Sequence, residues 1–189
     1  MMSDLVPNDE KFRELVLLIA RESEGDPTFG ATKLNKLLFF ADFRAYLKLG
    51  KSITGHEYQR LANGPAPRQL VPLRDEMIRR GDCAIATRDY FGRKQRHLIA
   101  LREPDLGGFT GEEVNLVLSV IKGFWGKDAR QMTDKSHRFI GWKLAKERET
   151  IPYEVALVAR GPRIAAAEEV ARKLNGAARE NLSRGKSRG

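Results

Sequence analysis

Chemistry in a chain is first sought in its histidines, cysteines and clustered carboxylates, and this sequence of 189 residues has few of them. The histidines are His56, His97 and His137. None has a second His or Cys at the short spacing that a metal site needs. Cys83 stands in an apolar stretch, which reads as a buried structural thiol rather than a nucleophile, and a lone cysteine excludes an intramolecular disulfide. Gly64-Pro65 lacks the strand–turn–helix setting of a phosphate loop. The pair Glu112-Glu113 is accounted for by helix capping. These residues form no catalytic constellation, metal set or cofactor motif. A small hydrolase or nuclease has no particular residues to rest on.

The candidate contact residues are charged groups, aromatic rings and turns. Lys33, Lys36 and Arg44 fall along one strip of a helix, and Asp42 lies seven residues after Asn35 on another. Such polar positions are either satisfied internally or offered to a partner. For Lys33 and Lys36, partner contact weighs evenly against capping or solvating the helix. Asn63-Gly64-Pro65 opens a rigid turn. Tyr90, Phe91 and Arg93 stand at the tip of an expected hairpin, among Arg88, Lys94 and Arg96. That hairpin, preceded by a helix, could be the phosphate-touching wing of a DNA-binding domain. It also suits a solvated tip whose charges blunt an exposed edge, and Pro72 near the start of the preceding helix favours this second reading. His137 and Trp142 form a further pair, read either as core plus cap or as a binding pair.

These residues must be positioned by the elements around them. Residues 31–50 form the stretch on which the rest is organised. Leu34, Leu37, Leu38, Ala41 and Ala45 give one apolar helical face, Phe39 and Tyr46 a second, Phe40 and Leu47 a third, so this helix is expected to be buried, with Gly50 as its stop. Before it, Asn8 caps an amphipathic helix through Phe12, Leu15, Val16 and Ile19, ended by Gly25-Asp26-Pro27. After it, residues 51–62 have a strand-like centre and residues 63–67 a turn. A helix follows through Leu70, Leu73, Met77 and Ile78, kinked or started late by Pro72 and closed by Gly81. Residues 83–87 and 96–101 read as two strands joined by a turn over 89–93. Thr110 and Glu113 form a capping box ahead of Val114, Val117, Leu118 and Ile121, with Gly123 and Gly126 ending that helix around Trp125. Asp128 and Thr133 are expected to cap two short helices anchored by Met132, Phe139, Ile140 and Trp142. Ile151-Pro152-Tyr153 is a break. Pro162 opens a last helix with Glu168–Arg172 and Glu169–Lys173 pairs.

The expected fold is mainly α (α+β): a compact helical domain around a buried central helix, with a small antiparallel β-hairpin. The expected limits are a loose leader over 1–8, a folded domain over 9–175 and a basic, disordered tail over 176–189. Hydrophobic residues at 41 % and charged residues at 31 % suit a soluble globular protein. No apolar run approaches the ~20 residues of a membrane span. Acidic residues stand where a signal peptide would be positive, which points to the cytoplasm. The net charge of +9 invites a nucleic-acid partner, but much of the excess lies in the tail and would serve an acidic protein equally well.

The stretch Lys33-Leu34-Asn35-Lys36-Leu37-Leu38-Phe39-Phe40-Ala41-Asp42 resembles the signature helix of the Panacea domain, the SocA-like antitoxin family. Gly50-Lys51-Ser52-Ile53-Thr54-Gly55, Tyr58 and Asn63-Gly64-Pro65-Ala66-Pro67 are similar to its following segment and Gly-Pro turn. Ser136-His137, Trp142 and Ile151-Pro152-Tyr153 resemble its C-terminal part. The resemblance covers roughly residues 10–155. The chain departs from the pattern at Ala66, where Val is common, and in its longer basic hairpin and tail. The resemblance implies an antitoxin that binds and inactivates a cognate toxin protein, without catalysis or cofactor. One branch of the family delivers its toxin to a protease. The alternative expectation is a winged-helix-like binder of its own promoter DNA.

Overall fold

The computed structural model describes residues 6–158, with the side chains of Arg93 and Val158 left aside. The expected Pro162 helix, its two ion pairs, the domain end at 175 and the basic tail lie outside the described residues. Within them the fold is mainly α, with seven helices and two short antiparallel strand pairs.

Helix α2 (Ala31–Leu49) is the axis of the fold, and Gly50 closes it in the left-handed region at φ 77°. Because it is apolar on more than one side, no single neighbour can cover it. It packs against α1 (Asp9–Glu22), α4 (Gly111–Phe124), α5 (Ala129–His137), α7 (Val155–Val158) and the strands β2 (Ala66–Pro67) and β4 (Arg93–Ala100). The Asn8 side chain caps α1 by accepting from the Lys11 N–H, and the Asn8 N–H donates to the Thr54 carbonyl, which lays residues 6–8 along the 54–55 turn.

Only Tyr58–Gln59 (β1) of the expected strand-like segment pairs, with Ala66–Pro67 opposite. The N–H groups of Ile53 and Thr54 go instead to the Asp42 carboxylate, and a proline in β2 offers no ladder donor. The 63–67 turn is correspondingly shorter than expected, its last two residues being strand. Helix α3 (Leu70–Arg80) starts late, so Pro72 sits in the first turn, where a missing N–H costs nothing. It buries Leu70, Leu73 and Met77, while Ile78 turns to solvent.

The hairpin is longer than expected. Strands β3 (Cys83–Tyr90) and β4 run to the tip, and Phe91-Gly92 alone make the turn, at φ 47° and 73°. Both central residues of such a two-residue turn need positive φ. The capping box of Thr110 and Glu113 opens α4, which runs on through Gly123. Its buried face is Leu116, Val117, Val120, Ile121 and Phe124, so Val114 and Leu118 are only half-buried. Asp128 and Gln131 form a second capping box at α5. Thr133 caps nothing. It lies inside α5, because nothing between 129 and 137 breaks that helix, and α6 (Ile140–Leu144) starts after Phe139. No helix of the described residues is long and apolar enough to cross a membrane.

Candidate functional site

The polar residues of α2 are turned inward. Asp42 is fully buried and accepts four hydrogen bonds: from the Ile53 N–H and the Thr54 N–H at 2.9 Å each, from Thr54 Oγ1 at 2.6 Å and from the Tyr58 hydroxyl at 2.7 Å. Burial still pushes its carboxyl above the usual carboxylate range. The rings of Phe39, Phe43, Tyr58 and Tyr153 pack against one another, mostly edge-on, with centroids 4.3–6.2 Å apart. The segments carrying the Gly-x-x-Ile pattern, Tyr58 and the Ile-Pro-Tyr break therefore converge on one buried carboxylate.

Lys33 and Lys36 are 1 % and 2 % exposed, so neither solvates the helix. Lys33 Nζ donates to Asp26 Oδ2 at 2.5 Å, Thr28 Oγ1 at 2.7 Å and the Lys127 carbonyl at 2.9 Å, tying the α1–α2 loop to the α4–α5 junction. Burial opposes ionisation of Asp26, but the Lys33 ammonium and the Thr28 donors hold its carboxyl below the usual range. Lys36 Nζ donates to the Pro65 carbonyl at 3.0 Å and has no carboxylate partner among the described residues. Burial pushes it down to about 8. Gly64 makes this approach possible: at φ 96°, an added Cβ would stand 2.4 Å from Ser136 Oγ and 2.8 Å from Lys36 Nζ. Asn63 is exposed beside this turn and its carbonyl accepts from Thr133 Oγ1. Arg44 is half-buried, its guanidinium 5.5 Å from the Phe124 ring centroid.

His137 stacks on Trp142 at 3.7 Å and 12°, and the Arg60 guanidinium covers the Trp142 ring at 4.5 Å. Trp142 Nε1 donates to the Leu61 carbonyl, so the stack holds the β1–β2 turn against α5 and α6. Burial and the nearby Lys36 charge push the His137 imidazole below its ordinary value.

The structure thus brings Lys36, Gly64, Pro65, Ser136, His137 and Trp142 together, while Tyr90 and Phe91 stand apart on the hairpin tip. Phe91 is 90 % exposed, with its ring edge-on to Tyr90. Arg93 pairs with Tyr90 in the register, and its side chain lies outside the described residues. Lys94 and Arg96 are exposed. Arg88 is not part of a basic tip. Its Nη2 donates to the carbonyls of Asp26, Pro27 and Phe29, clasping the hairpin to the α1–α2 loop. Cys83 is 1 % exposed, and burial pushes its thiol up to about 11.

Sequence reasoning missed the Lys33–Asp26 pair, the Arg88 clasp and the bidentate Arg102–Glu14 contact that ties the segment after β4 to α1. The first had a partial signal: a lysine on a helix apolar all round is a candidate for burial, and Asp26 in the preceding loop is the nearest carboxylate before it in sequence. The other two join residues far apart in the chain and left no local pattern.

Compared with protein families, residues 34–143 match the one described as Antitoxin SocA-like, Panacea domain. No curated protein and no solved structure matches the chain.

Proposed function

Since the chain belongs to the SocA-like antitoxin family with a Panacea domain, we propose that it neutralises a cognate toxin by binding that protein directly. The family match over more than half the chain carries the antitoxin role. Direct binding is supported by where the polar groups lie. Lys33, Lys36 and Asp42 are occupied within the core, which leaves partner contact to groups that reach solvent. These are Phe91 with Tyr90 at the hairpin tip, Asn63 beside the Gly64-Pro65 turn, Arg44, and the partly accessible His137–Trp142 face, and Arg93 joins the proposal by its place in the sequence next to that tip. Aromatic side chains such as Phe91 and its neighbour Tyr90 are of the type enriched in interfaces. Neutralisation of this kind requires surface complementarity and no catalytic group.

Co-expression tests the reading. Each neighbouring open reading frame is induced alone and then together with this protein. Growth arrest by one neighbour, relieved by co-expression and accompanied by a co-purifying complex, is the expected result. Relief without any complex would remove direct binding, and no toxicity from either neighbour would remove the pairing on which the reading depends.

A further inference from the structure

One face of the β3–β4 hairpin is engaged, with Arg88 and Gln95 bonded to the carbonyls of the α1–α2 loop. The register places Ile85 opposite Leu98 and Thr87 opposite Arg96 on the other face. Ile85, Arg96 and Leu98 look into an open groove of about 240 Å³, floored also by Leu34 of α2 and Leu70 of α3. Val71, 54 % exposed, borders it. Among the described residues, the charged side chains lining it are Arg68, Arg74 and Arg96, and no carboxylate does. Arg68 is committed to the fold, donating to the Arg148 carbonyl at 2.6 Å and pairing with Glu57 at 3.3 Å. Arg74 pairs with its exposed neighbour Asp75. Arg96 has no ion-pair partner among the described residues.

We propose that this groove seats a short, acidic, amphipathic segment of the protein partner, with apolar side chains on the Leu34–Leu70–Ile85–Leu98 floor and carboxylates on Arg74 and Arg96. That the partner is a toxin rests on the antitoxin reading; the chemistry of the segment rests on the groove. The volume is below the ~300–1,000 Å³ usual for small-molecule sites and suits a few side chains. Duplex DNA brings phosphates for the rim but nothing apolar for the floor. A second copy would bring the same net charge of +9 against this one. An acidic peptide satisfies floor and rim together.

The test uses two probes against the full chain: random phage-displayed dodecapeptides, and overlapping peptides spanning the neighbouring gene product. Selected binders are expected to carry Asp or Glu flanking Leu, Ile or Phe. Arg74→Glu with Arg96→Glu is expected to weaken them about tenfold or more, Arg74→Gln with Arg96→Gln by less, and Val71→Asp comparably, all without a shift in the thermal midpoint. The neutral pair and Val71→Asp keep the test readable if the double reversal unfolds. Binders without an acidic pattern, or binders indifferent to all three variants, overturn the proposal. So does displacement of the peptides by a DNA duplex, or self-association that the same variants abolish. If the charge reversal leaves co-expression rescue intact and no peptide selects the groove, this proposal alone falls. If acidic peptides bind the groove but neither neighbour does, the toxin assignment falls and the groove stands.

Discussion

Lys33 and Lys36 occupy the same strip of α2 and are equally buried, yet their charges are met differently. Lys33 faces a carboxylate, so removing the lysine strands a buried Asp26. Lys33→Met is expected to destabilise the fold by about 3–5 kcal/mol, and Asp26→Asn in the same chain to recover much of the loss, because the uncompensated charge goes with it. Urea melts of the three variants check this; equal losses in single and double variants would refute a coupled pair. Lys36 faces a carbonyl only. Its ammonium, ordinarily near 10.5, is held at about 8 in the fold. Below pH 8 both states are protonated and the cost of burial is fully present. Between the two values the unfolded chain holds more protons than the folded one, so stability rises with pH by at most about 3 kcal/mol. Cys83, pushed up to about 11, and Tyr58 and Tyr153, pushed well above the usual tyrosine value, act in the opposite direction above about pH 9. The difference between wild type and Lys36→Met therefore isolates the lysine. The variant is expected to gain most at pH 7, with its advantage shrinking above pH 8 and gone only above about pH 10.5. Parallel pH profiles would show that the cation is not stressed.

The β3–β4 hairpin is an element whose fold and use pull apart. Its two-residue turn places Phe91 at φ 47°, where Asn or Gly is normally found, and then exposes the ring. A β-turn selected for folding alone would not carry that ring. Phe91→Asn is expected to relieve about 1 kcal/mol of backbone strain and raise the thermal midpoint. The same change, or Tyr90→Ala with Phe91→Ala, is expected to weaken toxin binding by roughly 2 kcal/mol, the scale of an aromatic anchor. A more stable protein that binds less well cannot be explained by misfolding, so calorimetry and titration of one variant decide the point. Unchanged affinity would take the hairpin tip out of the interface.

At the scale of the molecule, the charge of +9 bears on association more than on fold. An acidic partner should be steered to the basic groove and hairpin, so the association rate is expected to fall several-fold between 50 and 500 mM salt while dissociation changes little. Biosensor kinetics across that range test it, and a flat association rate would argue for an apolar docking face. Promoter DNA behaves differently. About six phosphate contacts would lose on the order of a thousandfold in affinity between 50 and 200 mM salt. With Arg88 turned inward to backbone carbonyls, the hairpin has one cation fewer for such contacts than its sequence suggests.

The sequence determined whatever depends on neighbours in the chain. The caps at Asn8, Thr110 and Asp128, the stops at Gly50 and Gly81, the hairpin and the burial of α2 all follow from patterns a few residues long, because capping bonds and helical faces form within one or two turns. It also carried the family resemblance. What it left open was the direction of the polar groups on α2. Spacing shows that Lys33, Lys36 and Arg44 share a strip, but not what approaches that strip. Asp26 from the preceding loop meets one, Pro65 with Gly64 meets the second, and the Phe124 ring meets the third. The signature helix thus spends its charged residues on holding distant segments in place. The Phe91 tip was legible in the hairpin pattern, but the groove between α3 and the hairpin, proposed as a partner's seat, exists only once those segments are packed. Tertiary structure alone decided the groove, because it is made of side chains that are strangers in sequence and become neighbours only when the core closes.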